Sequence, residues 1–320
     1  MINSVRNTVL SILNKNNYGY ISPSDFNLFA TQAQIEIYED YFSNYNKQIV
    51  YENKRISGTD YSDMIKPITE VMETFLMSDF IIPKLTAALN LTNNYSYPSL
   101  VTVGYESYMV SKVIVYTSTL ASGTTTSALS FTLIDSTADF ITDGVSVGDI
   151  VVNTTTFQSS TVATVLSLSS LALNDNIMLA VGGGDNYIIY AASSYSEAEK
   201  VTNGKILMLA SSLLTAPSLI YPAYTNIGSS ITLYPTTIQG YGAVKVDSFR
   251  YPKAPKWTYV ILTGGEPVFD QSQLDYQDFE MAVGDEYRLV AKICQYCGIS
   301  IRETEVAQFA IAQQAQQDAV

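Results

Sequence analysis

The stretch SPSDFNLFATQAQIEIYEDYF, from Ser22 to Phe42, carries the strongest periodic pattern in the 320-residue chain. Its apolar side chains recur every three or four residues, at Phe26, Phe29, Ala30, Ala33, Ile37, Tyr41 and Phe42. This spacing predicts an amphipathic α-helix. Ser22 can cap the N-terminus of the helix, Pro23 fits its first turn, and Asp25 completes an approximate capping box. A shorter helix is predicted just before it, over Ser4 to Leu13.

The segment that joins these two helices, NKNNYGYISPSDF, resembles a calcium-binding loop. On the EF-hand template, Asn14 takes the first position, Tyr18 the fifth, Gly19 the sixth and Asp25 the twelfth. A working loop uses several carboxylates to replace the water around the ion, and here only Asp25 remains. Asp25 also suits the N-terminus of a helix, where the dipole favours an anion. We therefore expect a tight helix–turn–helix without a metal ion.

The middle of the chain changes from helical to β-strand patterns. Residues 44–63 are polar and predict a loop, and residues 66–91 are ambiguous because Pro83 prevents one uninterrupted helix. From about residue 101 to residue 190, short apolar runs such as GDIVVN and TVATVLSLSS alternate with Ser, Thr and Gly turns, which is typical of a β-sandwich or barrel. No Lys or Arg occurs between Lys112 and Lys200, which marks this part as a separate insertion.

Helical patterns return towards the C-terminal end. A helix is predicted from Ser196, followed by a Pro- and Tyr-rich segment whose prolines favour extended chain or edge strands over central strands. Two more helices are predicted over 285–297, with Gly298 as the C-terminal cap, and over 303–314. The predicted fold class is α+β: a bundle of N- and C-terminal helices, an inserted β-sandwich or barrel-like module, and an extended Pro/Tyr-rich segment. The predicted domain ranges are 1–104, 105–190 and 191–320.

The composition limits the functions that the chain can have. Apolar residues make up 47% of the chain and charged residues only 15%, with 24 tyrosines and a net charge of −13. Tyrosine suits interfaces, and a strongly acidic chain lacks the basic surface that binds nucleic-acid phosphates tightly. The chain has no histidine, which removes Ser-His-Asp and Cys-His catalysis. With no apparent secretory signal and no long apolar run, the sequence predicts a soluble protein made in a reducing cytoplasm.

Three short motifs are better explained by structure than by chemistry. The sequence CQYC at Cys294–Cys297 has the spacing of a redox or zinc site, but its position near a helix C-terminus disfavours thiolates and favours two buried side chains. The glycines of GGGDNY predict a hairpin turn. The basic cluster of Arg250, Lys253 and Lys256 beside Trp257 could touch nucleic acid, but its proline spacing favours an arm that meets an acidic neighbour. We predict no catalytic, cofactor-binding or metal-binding residue.

Four segments together resemble virion structural proteins of tailed bacteriophages, and the neck or ring proteins of crAss-like phages most closely. They are VRNTVLSILNKNNYGYISPSDFNLFATQAQIEIYEDYF, LTAPSLIYPAYTNIGSSITLYPTTI, YPKAPKW and DFEMAVGDEYRLVAKICQYCGISIRETEVAQFA. The segment DFITDGVSVGDIVVNTTT is similar to β-modules that are widespread in phage structural proteins.

The resemblance implies a non-enzymatic head-to-tail adaptor of the virion, assembled in the host cytoplasm. Such proteins form homo-oligomeric rings, often dodecamers, that contact the portal and other neck or tail rings and let double-stranded DNA pass without specific binding. The expected partners include no membrane and no cofactor. The predicted interface residues are Tyr221, Tyr224, Tyr234, Arg250, Tyr251, Lys253, Lys256, Trp257 and Phe309. The alternatives are another virion part, namely a tail-tube, fibre-anchoring or capsid-decorating protein, and a carboxylate-dependent glycan hydrolase.

Overall fold

A computed structural model describes residues 1–13, 21–54, 65–85, 91–178 and 183–300. The described helices are α1 (Ile2–Leu13), α2 (Pro23–Lys54), α3 (Ile65–Glu73), α4 (Leu100–Val103), α5 (Asn203–Ala210) and α6 (Glu286–Ser300). The described strands are β1 (Leu76–Phe80), β2 (Pro83–Leu85), β3 (Leu91–Ser96), β4 (Ser107–Tyr116), β5 (Thr119–Thr124), β6 (Ser127–Leu129), β7 (Thr132–Ile134), β8 (Ile150–Asn153), β9 (Gln158–Ser167), β10 (Ser170–Leu173), β11 (Asn186–Tyr190), β12 (Tyr195–Glu197), β13 (Glu199–Lys200), β14 (Ala223–Ile227), β15 (Ser230–Tyr234), β16 (Val244–Arg250), β17 (Tyr259–Ile261) and β18 (Pro267–Phe269). This mixture confirms the α+β class.

The chain forms two compact units whose boundaries differ from the predicted domain ranges. The first unit, which we call the helical unit, contains Met1–Phe75 and Tyr251–Val320, and the second, the β unit, is the continuous segment Leu76–Arg250. The predicted ranges 1–104, 105–190 and 191–320 therefore cut through the β unit. The ends of this unit lie side by side, because Leu76 pairs with Phe249 across strands β1 and β16.

The helical unit is built on α2, which packs against α3 and α6, while α6 also packs against α1. The start of α2 is the predicted one: the Asp25 backbone N–H donates to Ser22 Oγ at 3.2 Å, and Ser22 Oγ donates to Asp25 Oδ2 at 2.6 Å. The fully buried Tyr38 ring lies 5.1 Å from the rings of both Phe42 and Phe75. Helix α2 thus supplies the aromatic centre of this core.

Two predicted ends of helices in this unit are wrong. Residues 44–54 of the loop predicted over 44–63 are helical, because they include no Gly or Pro to stop the helix, and residues 55–63 lie outside the described residues. Gly298 does not end α6, which continues to Ser300. A glycine inside a helix costs only about 1 kcal/mol relative to alanine, which packing elsewhere along the helix can offset. The predicted helix over 303–314 and the calcium-like residues 14–20 lie outside the described residues.

The described residues of the β unit form three sheets, in which every strand pair except β13–β14 is antiparallel. The strand orders are β1-β16-β4-β12, β13-β14-β15-β3-β2 and β5-β11-β8-β9-β10-β7-β6. The seven-stranded sheet falls within the predicted β insertion and has its own core, which includes Leu133, Phe140 and Val162. Another core joins the remaining sheets and includes Tyr95 and Val244.

The structure corrects three predictions in the β unit. The helix predicted from Ser196 begins at Asn203, after Thr202 Oγ1 accepts the N–H of Lys205 at 3.4 Å, and the residues before it form strands. The Pro/Tyr-rich segment supplies inner strands such as β15 and β16, because its prolines lie outside these strands. The described glycines, Gly183 and Gly184, do not join paired strands, since β11 pairs with β5 and β8 and not with β10; Gly182 lies outside the described residues.

Candidate interaction surfaces

A run of large apolar side chains lies on the outside of the β unit, on α5 and the segment that follows it. Helix α5 is held to the unit through Ile206, which is buried in a small cluster with Val201 and Ala223. Leu209 packs partly buried against this cluster, whereas seven other large apolar side chains of α5 and the next residues are between 46% and 103% exposed. We call this set the α5 surface; it consists of Leu207, Met208, Leu213, Leu214, Leu219, Ile220 and Tyr221.

A groove of about 630 Å³ runs beside the α5 surface. Leu213, Leu214 and Tyr221 belong both to the α5 surface and to the lining of the groove. The charged side chains of the lining include Glu199 and Lys205, whose carboxylate and ammonium lie 3.6 Å apart. Beyond Lys205, no charged residue occurs until Lys245. The groove is therefore lined by both apolar and charged side chains.

A second apolar surface lies on the helical unit, on the hairpin of β17 and β18. These two strands pair with each other and, in the described ranges, with no further strand. We call its exposed side chains the hairpin surface; they are Tyr259, Val260, Ile261, Leu262 and Val268, between 39% and 64% exposed. An isolated two-stranded hairpin is marginally stable in water, so this one needs an anchor.

Trp257 is the anchor of the hairpin. Its side chain is 2% exposed and stacks on the rings of Tyr259 and Phe269, with centroid distances of 5.5 and 6.0 Å. The guanidinium carbon of Arg6 lies 3.8 Å from the centre of the Trp257 ring. The indole N–H donates to Asn3 Oδ1 at 3.1 Å. Trp257 is therefore a core residue of the single chain, and only 2% of its side chain is left for contact with a neighbour.

The other predicted interface residues are scattered. Tyr221 is 79% exposed and lies in the α5 surface, whereas Tyr224 is buried in the single chain. Lys253 is exposed, and Lys256 forms an ion pair with Asp275 of its own unit. The half-buried residues are Tyr234, Arg250 and Tyr251, and Phe309 lies outside the described residues.

A network of charges joins α2 to α6 inside the helical unit. The buried Lys292 ammonium lies 3.0 Å from Glu36 Oε2 and 3.5 Å from Asp40 Oδ2. Arg288 bridges Asp40 and Asp285, with both distances at 3.1 Å. The network was not predicted, although the four-residue spacing of its charges on each helix was a usable signal in the sequence. Because each cation already faces carboxylates of its own chain, the network serves to hold the two helices together.

The CxxC thiols lie in the core of the helical unit, as predicted. Burial raises the pKa of Cys294 to about 11, and burial together with the neighbouring thiol raises the pKa of Cys297 to about 12. Such thiols are protonated and poorly nucleophilic near neutral pH. Within the part of the chain that the structure describes, no cluster of three or more His, Cys, Asp or Glu side chains could hold a metal ion.

The comparisons with known proteins give no assignment. No family model and no curated protein matches the chain. None of the described helices is both long and apolar enough to cross a membrane. The features that bear on function are therefore the two apolar surfaces, one on each compact unit.

Proposed function

We propose that this chain is a structural virion protein that forms a homo-oligomeric ring in the head-to-tail connector of a tailed phage, as the resemblance of its sequence implies. In this proposal it joins the portal to the tail rings, lines the channel for the genome and carries out no catalysis. The observation that carries the proposal is that each compact unit exposes an apolar surface with few charges. Apolar patches of this kind mark sites of protein association.

Two separate surfaces on one chain suit a ring in particular. A ring closes when one face of each copy binds a different face of the next copy, so the chain needs two separate binding surfaces. The helices of the helical unit would form the core of the assembly, and the seven-stranded module of the β unit would project from it. The low overall content of charged residues, 15%, supports the burial of a large fraction of the chain surface in such contacts.

The acidic residues of the β unit suit a channel only in part. Asp135, Asp149 and Asp185 are buried and serve the fold, so they are unavailable to repel DNA. Asp139 and Asp143 are exposed, and no Lys or Arg occurs between residues 112 and 200 to neutralise them. We propose that the exposed carboxylates face the channel, where they would let the duplex slide because like charges repel.

Electron microscopy of the purified full-length chain tests this proposal. We expect ring-shaped particles of one symmetry, with a central hole wide enough for a DNA duplex. Particles that stack without limit into tubes would favour the tail-tube alternative. A monomer at all concentrations that cleaves cell-wall glycan, and loses this activity on a single Asp or Glu to Ala change, would overturn the proposal in favour of a hydrolase.

DNA binding gives a second readout of the same proposal. The ring is expected to show no retention of linear double-stranded DNA at physiological salt, because a chain of net charge −13 offers no general basic footprint. Tight DNA binding that weakens steeply with salt would contradict the idea of a repelling channel.

A further inference from the structure

We propose that the two apolar surfaces are the two sides of one contact, in which the α5 surface of one copy binds the β17–β18 hairpin of the next copy. This inference rests on the proposed ring, and adds to it the residues that join neighbouring subunits. It follows from three properties of the surfaces: their charge, their size and the requirement that a ring imposes on them.

Charge restricts where two copies can meet. Each copy has a net charge of −13, so two copies repel each other over most orientations. The α5 surface lies in a stretch without any charged residue, from 206 to 244. Between Trp257 and Phe269, which include the hairpin, Glu266 is the single charged residue. Contact between these two segments therefore brings few like charges together, namely Glu266 of the hairpin with Glu197 and Glu199 of the groove, where Lys205 offsets part of the repulsion.

Size is the second property. Full burial of a side chain as large as Leu or Met removes about 60–120 Å² of apolar surface from water. The seven side chains of the α5 surface, each at least 46% exposed, can thus contribute a few hundred Å². A standard stable interface buries about 800 Å² on each partner. The α5 surface supplies a large part of this area, and the adjoining groove of about 630 Å³ supplies a concave place for side chains of the hairpin.

A ring whose copies all face the same way requires a contact between two different surfaces, which argues against self-association of either surface. If the α5 surface bound another α5 surface, a two-fold dimer would form and leave no apolar face of that kind free for growth. A head-to-tail contact between two different surfaces propagates and closes into a ring. The hairpin can provide the second surface of such a contact, since all three residues of β17 are exposed and its strands pair only with each other in the described ranges.

Charge insertion at each surface tests the contact. Leu213→Glu and Ile261→Glu each place a carboxylate in the proposed contact, and their sites are 103% and 64% exposed, so the fold should be retained. Leu274→Glu is the matched control, because Leu274 is also fully exposed at 107% and belongs to neither surface. We expect each test variant to raise the concentration for half-assembly at least tenfold by mass photometry. The control should assemble like the original chain, and circular dichroism confirms folding in all three.

Mixing the two defective variants distinguishes this contact from its alternatives. Leu213→Glu copies retain an intact hairpin and Ile261→Glu copies retain an intact α5 surface, so the mixture should form dimers with one of each and nothing larger. A Leu213→Cys, Ile261→Cys double variant should form disulfide-linked ladders of copies under mild oxidation. The native thiols of Cys294 and Cys297 should not form disulfides under these conditions, because both are buried.

The outcomes separate the inference from the proposed function. Rings that persist in both Leu213→Glu and Ile261→Glu would overturn the inference and leave the proposed ring intact. Assembly lost in Leu213→Glu but unaffected in Ile261→Glu would also overturn it, since the α5 surface would then bind something other than the hairpin. An original chain that remains monomeric at every concentration would overturn the proposed function itself.

Discussion

Replacement of Trp257 by alanine should destabilise the helical unit by about 4 kcal/mol. Truncation of a buried aromatic side chain to alanine typically costs about 3–5 kcal/mol. Trp257 is 2% exposed, stacks on the rings of Tyr259 and Phe269, and lies under the Arg6 guanidinium, so we expect a loss of stability in the upper half of this range. A cation–π contact shielded from water contributes about 1–2 kcal/mol of this value. The hairpin would lose its anchor at the same time.

Urea unfolding followed by circular dichroism of the amide groups measures this change. The four longest described helices, α1, α2, α3 and α6, lie in the helical unit, so the helical signal reports mainly on that unit. Trp257→Phe is the matched control: it retains an aromatic ring but loses the hydrogen bond to Asn3, and should cost about 1–2 kcal/mol. A cost below about 1 kcal/mol for Trp257→Ala would refute the burial argument. Tryptophan emission of the original chain that resembles free tryptophan in water would refute it as well.

Three further predictions concern buried polar groups and one close contact. Cys294 and Cys297 should resist alkylation by iodoacetamide at pH 8 until the chain is denatured. The free energy of unfolding should fall as pH rises from about 8.5, the pKa of a thiol in the unfolded chain, towards the raised pKa values of the folded chain. Burial raises the pKa of Asp135, but hydrogen bonds from a neighbouring threonine and from Tyr187 lower it overall, so its contribution to stability is lost as pH falls below about 3.9. Tyr187→Phe removes a 2.7 Å hydrogen bond and should cost about 1.5–3 kcal/mol at pH 7, less in acid, by urea titration at both pH values. Gly123→Ala places a methyl group 2.6 Å from Asp135 Oδ2 and should cost about 1–3 kcal/mol in the same titration, and an unchanged midpoint would contradict this close approach.

Local signals in the sequence predicted several elements correctly. The start of α2 depends on a serine, a proline and an aspartate within four residues, so the chain itself carries the necessary information. The end of α6 depends instead on the packing that offsets the cost of Gly298, which no local rule contains. The inner strand β15 was missed because Pro235 follows the strand and does not interrupt it.

The candidate surfaces were predicted less well than the fold. Tyr221 and Tyr224 were both selected because tyrosine is common at interfaces, yet the folded chain exposes the first and buries the second. Trp257 was selected for its basic neighbours, although Arg6, which is far away in the sequence, is the cation that covers its ring. Exposure of the leucines after α5 is a property of the folded β unit, and composition alone does not distinguish these leucines from core residues.

The division of the chain into a split unit and a continuous unit sets the order in which they can fold during synthesis. Helix α2 leaves the ribosome well before α6, because the whole of Leu76–Arg250 is made between them. The 231 residues between Lys54 and Glu286 take roughly 12–46 s to make at about 5–20 residues per second. During that time the apolar face of α2 has no α6 to pack against, while all strands of the β unit have already been made. Nascent chains are therefore exposed to chaperones and to premature association at the helical half of the molecule, and a faster or slower rate of translation through the β unit would change that exposure directly.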